Sequence, residues 1–194
     1  MKKILSISAL LLAGCIAANA QFNIHAGYLL NMEKSTIGNQ TENETSSGFS
    51  IGAGFEYELG SVISIMPEIN LDGSFETGTV LNQRVNYRDI TLQIPVYAKA
   101  SWDLGGNLGG YLLLGPEFGV GLSNVMKTGN SVYDYYKDDD YTRFTVGVAG
   151  GAGLEFNEKY RLQVTYLYPL TNEYTGSNLV DKTHALRVTI GYLF

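Results

Sequence analysis

The residues best suited to chemistry are two histidines, His25 and His184. A hydrolytic site needs a nucleophile, a base and a group that orients the base, all within hydrogen-bond reach of one another. A lipid-deacylating enzyme would need a serine close to its histidine, yet His184 is followed by Ala185 and Leu186, and no nucleophile stands beside His25. We therefore expect no catalytic residues and no enzymatic activity.

Metal and cofactor chemistry has equally little support. The single cysteine, Cys15, lies in the N-terminal apolar stretch, so a chain that begins after it has no thiolate ligand and no disulfide. The aspartates of residues 132–141 match no defined calcium loop. The glycines of residues 147–153 are not followed by a predicted helix, so they do not form the phosphate-binding loop that precedes a helix N-terminus. We expect neither a cofactor nor a metal.

A third candidate is a segment rich in tyrosine and aspartate, residues 132–141, with the sequence VYDYYKDDDY. Tyrosine provides a large contact area at low entropy cost, as it does in antibody binding loops. The segment is therefore a candidate for contact with an extracellular ligand, and the alternative is a solvated loop without a ligand. The candidate contact residues are Tyr133, Asp134, Tyr135 and Tyr136.

The elements that must position these residues are β-strands. Apolar and polar residues alternate with a period of two in eight segments of about ten residues, as in 49–59, where Phe49, Ile51 and Phe55 share one face. Short turns are expected at 60–61, 102–107 and 157–159, and long polar loops at 34–47, 73–87, 123–140 and 171–183. This pattern is typical of an all-β, eight-stranded antiparallel up-and-down transmembrane barrel.

The apolar face predicts lipid contact, because its roughly forty side chains are too many for the interior of an eight-stranded barrel, which side chains just fill. The polar face then lines the lumen, where buried charges persist when they are paired. We expect an ion-pair network that plugs the bore, and the alternative is a narrow porin-like channel for small solutes. The predicted network consists of Glu56, Glu58, Glu68, Lys99, Glu117, Arg143, Glu155, Arg161 and Arg187.

The N-terminus is typical of a signal peptide. Lys2 and Lys3 precede the apolar stretch 4–13, and 18–20 reads Ala-Asn-Ala, a small-x-small cleavage pattern. The predicted domains are a signal peptide, 1–20, and an outer-membrane barrel, 21–194. An alternative is lipidation of Cys15, because residues 12–15 resemble a lipobox. The net charge of −6 argues against nucleic acid as a partner.

The C-terminus resembles the signal that the barrel-assembly machinery reads, a terminal aromatic residue preceded by alternating apolar positions. The residues that carry this resemblance are Leu186, Val188, Ile190, Tyr192 and Phe194. It implies the assembly machinery as a partner during biogenesis, and an even strand number puts both termini on the periplasmic side.

Three further segments resemble the small porin-like outer-membrane β-barrel family of Bacteroidetes-type bacteria. They are 89–99 (DITLQIPVYAK), 114–117 (LGPE) and 150–156 (GGAGLEF). The chain departs from the family where Tyr166 and Tyr168 replace an arginine-tyrosine pair. The resemblance implies the cell outer membrane as the location, its lipid as a partner, and no single activity. We expect a structural, adhesive or ligand-recognition role through extracellular loops. A lipid-modifying enzyme is the least favoured hypothesis.

Overall fold

The computed structural model describes residues 21–37, 40–80, 83–129, 131–138, 141–174 and 179–194. The predicted signal peptide, with Cys15, lies outside these residues. The strands are β1 (Gln21–Ile37), β2 (Gln40–Glu58), β3 (Ile63–Val80), β4 (Gln83–Gly105), β5 (Leu108–Thr128), β6 (Ser131–Asp134), β7 (Phe144–Phe156), β8 (Tyr160–Pro169) and β9 (Leu179–Leu193), with one helical turn, α1 (Tyr135–Asp138). Within the described ranges, no helix is long and apolar enough to cross a membrane.

Eight of the strands close into a ring. Each strand pairs antiparallel with its neighbours in the order β1-β2-β3-β4-β5-β7-β8-β9, and β1 pairs with β9. The short strand β6 lies outside the ring and pairs with residues 125–128 of β5. Closure satisfies the backbone hydrogen bonds between strands, which a sheet surrounded by lipid requires. The predicted eight-stranded antiparallel barrel is confirmed.

The two faces of the sheet have the polarity of a membrane protein. Large apolar side chains point outward and are exposed, among them Leu114 (62%) and Ile190 (67%). Charged side chains point into the bore and are buried, such as Lys99 and Glu117 at 2% and 1% exposed. Because this is the reverse of a soluble barrel, the exposed band is the surface that lipid covers.

Short turns are found at all three predicted places, and all lie at one end of the barrel; the second is shorter than predicted, because β4 stays paired with β5 up to Gly105. They connect β2 to β3, β4 to β5 and β7 to β8. In the last of these turns, Asn157 and Glu158 have φ values of 54° and 55°, the left-handed backbone that a tight hairpin turn requires. Phe194 N donates to Phe22 O over 2.9 Å, so both chain ends of the barrel lie at this short-turn end.

The prediction of long polar loops at 34–47 and 73–87 was wrong. β1 and β2 remain paired up to Ile37 and Gln40, and β3 and β4 up to Val80 and Gln83. Beyond the apolar band both faces of the sheet are in contact with water. Apolar and polar residues therefore no longer alternate in the sequence, although the strands stay paired through their backbone hydrogen bonds. The structure therefore has long polar hairpins at the end opposite the short turns, here called the outer end.

Candidate functional site

The first group of buried charges lies in the half of the bore nearer the short turns, and we call Glu56, Lys99, Glu155 and Arg161 the lower cluster. Lys99 Nζ lies 2.7 Å from Glu56 Oε1 and 2.7 Å from Glu155 Oε1. Arg161 Nη2 lies 2.5 Å from Glu56 Oε2 and 2.6 Å from Glu155 Oε1. The residues come from β2, β4, β7 and β8, so their ion pairs cross the bore. Two cations and two carboxylates make the lower cluster neutral.

A buried tyrosine supports the lower cluster. The ring of Tyr111 has Lys99 Nζ 4.7 Å and Arg161 Cζ 5.4 Å from its centroid, and its hydroxyl donates to Gln163 Oε1 over 3.0 Å. Gly153 leaves room for this ring, since a Cβ there would lie 2.1 Å from the tyrosine oxygen. Packing of this density leaves little space for water between the charges.

A second group, which we call the upper cluster, lies farther towards the outer end and consists of Asp72, Glu117 and Arg187. Arg187 donates to both carboxylate oxygens of Glu117, over 3.0 and 2.6 Å, and its Nε donates to Asp72 Oδ2 over 2.8 Å. Asp72 Oδ1 is buried and has no hydrogen-bond partner among the described residues. One cation between two carboxylates leaves the upper cluster with a net negative charge.

His25 and Glu68 occupy the bore beside these clusters. His25 Nε2 lies 2.7 Å from Asn70 Oδ1 and 3.9 Å from Glu68 Oε2, and its Nδ1 lies 3.0 Å from Asn23 Oδ1. The hydrogen-bond partners of this histidine are therefore amides. Glu68, 2% exposed, accepts from Asn70 and joins neither cluster directly.

Three residues of the predicted network, Glu58, Glu68 and Arg143, lie outside both clusters, and one member of the upper cluster, Asp72, was missed. Glu58 is exposed at the end of β2. Arg143 is exposed at the outer mouth, where its guanidinium lies 4.6 Å from the ring centroid of Tyr136 and donates to Gly121 O. The odd or even position of a residue along its strand (its parity) shows which side of the sheet its side chain is on, but not how far along the bore it lies. Glu58 and Arg143 both lie at an end of the bore. Asp72 was missed, although it shares the inward parity of Glu68 on β3.

The bore widens at the outer end into a cavity of about 790 Å³, whose lining includes the upper cluster. We call it the outer cavity. Among the described residues that line it, carboxylates outnumber cations by eight to two. The acidic residues are Glu33, Glu44, Asp72, Glu76, Asp89, Glu117, Glu173 and Asp181, and the basic residues are Arg143 and Arg187.

The crowding of acids affects titration at the outer end. Glu33 follows Met32, the last apolar outward residue of β1, and Glu173 follows β8, so both lie outside the membrane-spanning segments. Burial and the nearby negative charges of Asp181 and Glu173 raise the pKa of Glu33 to about 7. Burial, with Asp181 again among the causes, raises the pKa of Glu173 to about 7. The wall of the cavity therefore gains negative charge as the pH rises through neutrality.

The predicted contact segment forms part of this wall. Tyr135 and Tyr136 line the cavity. The ring of Tyr135 packs edge-on against Tyr133 and Tyr141, with centroids 5.0 and 5.7 Å apart. Asp134 Oδ2 lies 3.1 Å from Lys137 Nζ. The described part of the segment pairs with β5 instead of projecting from the barrel, and it adds an aromatic surface to an acidic one.

The residues of the predicted assembly signal lie along β9 and at the chain end. Ile190 and Phe194 are each 67% exposed on the outward face. The ring of Phe194 lies 4.9 Å from Tyr192 and 5.6 Å from Phe22, centroid to centroid. Their role in assembly stays a prediction.

Comparison with known proteins identifies the class. The family described as the outer membrane protein beta-barrel domain matches residues 16–175, and the chain belongs to this family. The family locates the protein in the outer membrane. No curated protein matches the chain.

Solved structures of small outer-membrane barrels are similar to this chain. Neisserial surface protein A is 14% identical, covers 91% of this chain and 99% of its own, and has a TM-score of 0.52. OprG from Pseudomonas aeruginosa is 12% identical, covers 91% and 97%, and has a TM-score of 0.51. Ail of Yersinia pestis is 15% identical, covers 90% and 99%, and has a TM-score of 0.48. At these identities, Neisserial surface protein A and OprG show only that this chain shares their fold.

Proposed function

We propose that this protein is a non-conducting, non-catalytic outer-membrane barrel that binds a cationic ligand in its outer cavity. The observation that carries the proposal is the combination of a bore crossed by two ion-pair clusters with an acidic, aromatic cavity above them. The short turns and both ends of the barrel chain face the periplasm, as in other barrels with short periplasmic turns. The cavity then opens to the outside of the cell.

The closed bore follows from its width and its contents. Side chains just fill an eight-stranded barrel. The lower cluster connects β2, β4, β7 and β8, and the upper cluster connects β3, β5 and β9. Since the clusters lie one above the other, a solute would have to break both to pass. This geometry favours a plug over a narrow channel.

The preference for a cation follows from the charge of the cavity. Eight carboxylates against two arginines in a concave wall concentrate negative potential, and the low-dielectric surroundings strengthen it. Tyr135 and Tyr136 line the same wall, and Tyr136 already has one cation, the Arg143 guanidinium, 4.6 Å from its ring centroid; a contact of this kind is worth about 0.5–2 kcal/mol. The buried Asp72 Oδ1, without a partner among the described residues, offers one more acceptor at the floor of the cavity.

Two measurements on the purified, folded barrel test the proposal. In planar bilayers, the wild type should show no steady conductance. By calorimetry, a trivalent polyamine such as spermidine should bind the wild type more tightly than Glu33→Gln/Glu173→Gln. Glu158→Gln, at the short-turn end, is the matched control and should bind like the wild type.

Each part of the proposal has its own contradicting outcome. Ohmic conductance from correctly folded protein would establish the channel instead of the plug. Equal spermidine affinity in wild type and double variant would remove the cavity as the binding site. Deacylation of lipid A by the pure barrel, lost on substitution of His25 or His184, would establish an enzyme.

A further inference from the structure

The outward face of β1 and β9 carries an uncompensated pair of positive charges near the outer end. Lys34 of β1 and Lys182 of β9 are direct partners in the strand register. Both share the outward parity of Tyr28 and Ile190, which are exposed. Side chains at directly opposite positions have Cβ atoms about 5 Å apart, and like charges there are destabilising. In a chain with net charge −6, two lysines at such a position need a physical explanation.

The nearby acids do not neutralise this pair. Glu33 and Asp181, their immediate neighbours in sequence, have inward parity and line the cavity. The salt bridges found among the described residues include neither lysine. On β2, the residue opposite Lys34 is Asn43, an uncharged side chain. An anion from outside the chain is therefore the natural counter-charge.

The height of the pair relative to the lipid identifies the source of that anion. The next outward residue of β9 towards the membrane is His184, whose Nδ1 lies 2.8 Å from the Tyr166 hydroxyl and whose ring meets Tyr168 at 5.3 Å between centroids. Both tyrosines are about half exposed. Tyrosines mark the level of the lipid headgroups in membrane barrels. The lysines, one position beyond, lie where the headgroup phosphates of the outer leaflet lie.

We propose that Lys34 and Lys182, with the aromatic patch of Tyr166, Tyr168 and His184 beneath them, bind a phosphate group of an outer-leaflet glycolipid. The two ammonium groups converge on one phosphate, which relieves their mutual repulsion, while the patch contacts the sugar and the upper acyl chain. The partner is a lipid-borne phosphate, not the free ion, because the acyl chains anchor it beside the apolar band. This site is on the outside of the barrel and is independent of the outer cavity.

The experiment uses the full barrel, folded in detergent, with native mass spectrometry to titrate three probes. These are diphosphorylated lipid A, the same lipid A after phosphatase treatment, and inorganic phosphate. The variants are Lys34→Gln/Lys182→Gln, the conservative Lys34→Arg/Lys182→Arg, and the control Lys159→Gln in the β7–β8 turn at the opposite end. Mobility of unboiled samples on a gel establishes that each variant is folded.

We expect the phosphorylated lipid to bind the wild type about tenfold more tightly than it binds the glutamine double variant, the effect of about two exposed charge pairs. The arginine variant and Lys159→Gln should bind like the wild type. Removal of the phosphates should weaken binding to the wild type by the same factor, which tests the site even if the double variant does not fold. Equal binding of both lipids would overturn the proposal. So would competition by millimolar inorganic phosphate, which would identify a site for the free ion.

Discussion

The upper cluster makes a sharp prediction about Arg187. This residue is 2% exposed and is the one cation between Glu117 and Asp72, which are 1% and 5% exposed. In Arg187→Ala, two buried carboxylates would face each other without a counter-charge. Breaking a buried ion pair by removal of one partner costs about 3–5 kcal/mol. We expect a loss of free energy of unfolding in that range.

The lower cluster provides the internal comparison. In Arg161→Ala, Lys99 still lies 2.7 Å from Glu56 and 2.7 Å from Glu155, so neither carboxylate loses all of its counter-charge. The loss is then that of charge-assisted hydrogen bonds, about 1.5–3 kcal/mol. Although both arginines are equally buried, Arg187→Ala should be the more destabilising of the two.

A variant of the upper cluster without charges separates the electrostatic contribution from the contribution of packing. Arg187→Met/Glu117→Gln/Asp72→Asn keeps similar side-chain volumes and removes all three charges. If unpaired charge is the cause of the loss, this variant should be more stable than Arg187→Ala by at least about 2 kcal/mol, because hydrophobic or neutral replacements of buried ion pairs are often tolerated.

The assay is reversible urea unfolding in lipid vesicles, followed by tryptophan fluorescence and by the mobility of unboiled samples on a gel. Conductance of the same samples gives a second readout, and each single variant should stay closed because the other cluster still crosses the bore. A decrease in the free energy of unfolding below about 1 kcal/mol for Arg187→Ala would contradict this reasoning. So would a larger decrease for Arg161→Ala than for Arg187→Ala, because the stability of a cluster would then not depend on the number of cations left in it.

Three further predictions concern other parts of the chain. Deletion of Phe194 should lower the yield of folded barrel in outer-membrane fractions, and an unchanged yield would remove its assembly role. Mass determination of the mature protein should show a chain that begins at Gln21, and a lipidated Cys15 would contradict the signal peptidase site. Because Glu33 and Glu173 have a pKa of about 7 and are charged above it, spermidine affinity should fall between pH 8 and pH 6. Glu33→Gln should flatten that dependence, and a wild-type affinity that does not change with pH would refute it.

The alternation of apolar and polar residues determined the barrel, its strand number and the direction of each face. This information is local, because successive side chains of a strand point to opposite sides and each segment reports its own environment. The alternation stops where water covers both faces, and for this reason the hairpins that continue β1 to β4 were mistaken for loops.

Tertiary structure decided which charges meet and where the cavity forms. Glu56 and Arg161 are 105 residues apart in the chain, and their contact depends on how far each strand is shifted against the next around the closed ring. Glu58 and Arg143 were predicted to face the lumen, and Asp72, which was missed, shares their inward side of the sheet. Their heights in the barrel separate Asp72, a member of the upper cluster, from the two residues at the ends. The sequence therefore determined the side of the sheet on which each charge lies, and ring closure alone decided its partner.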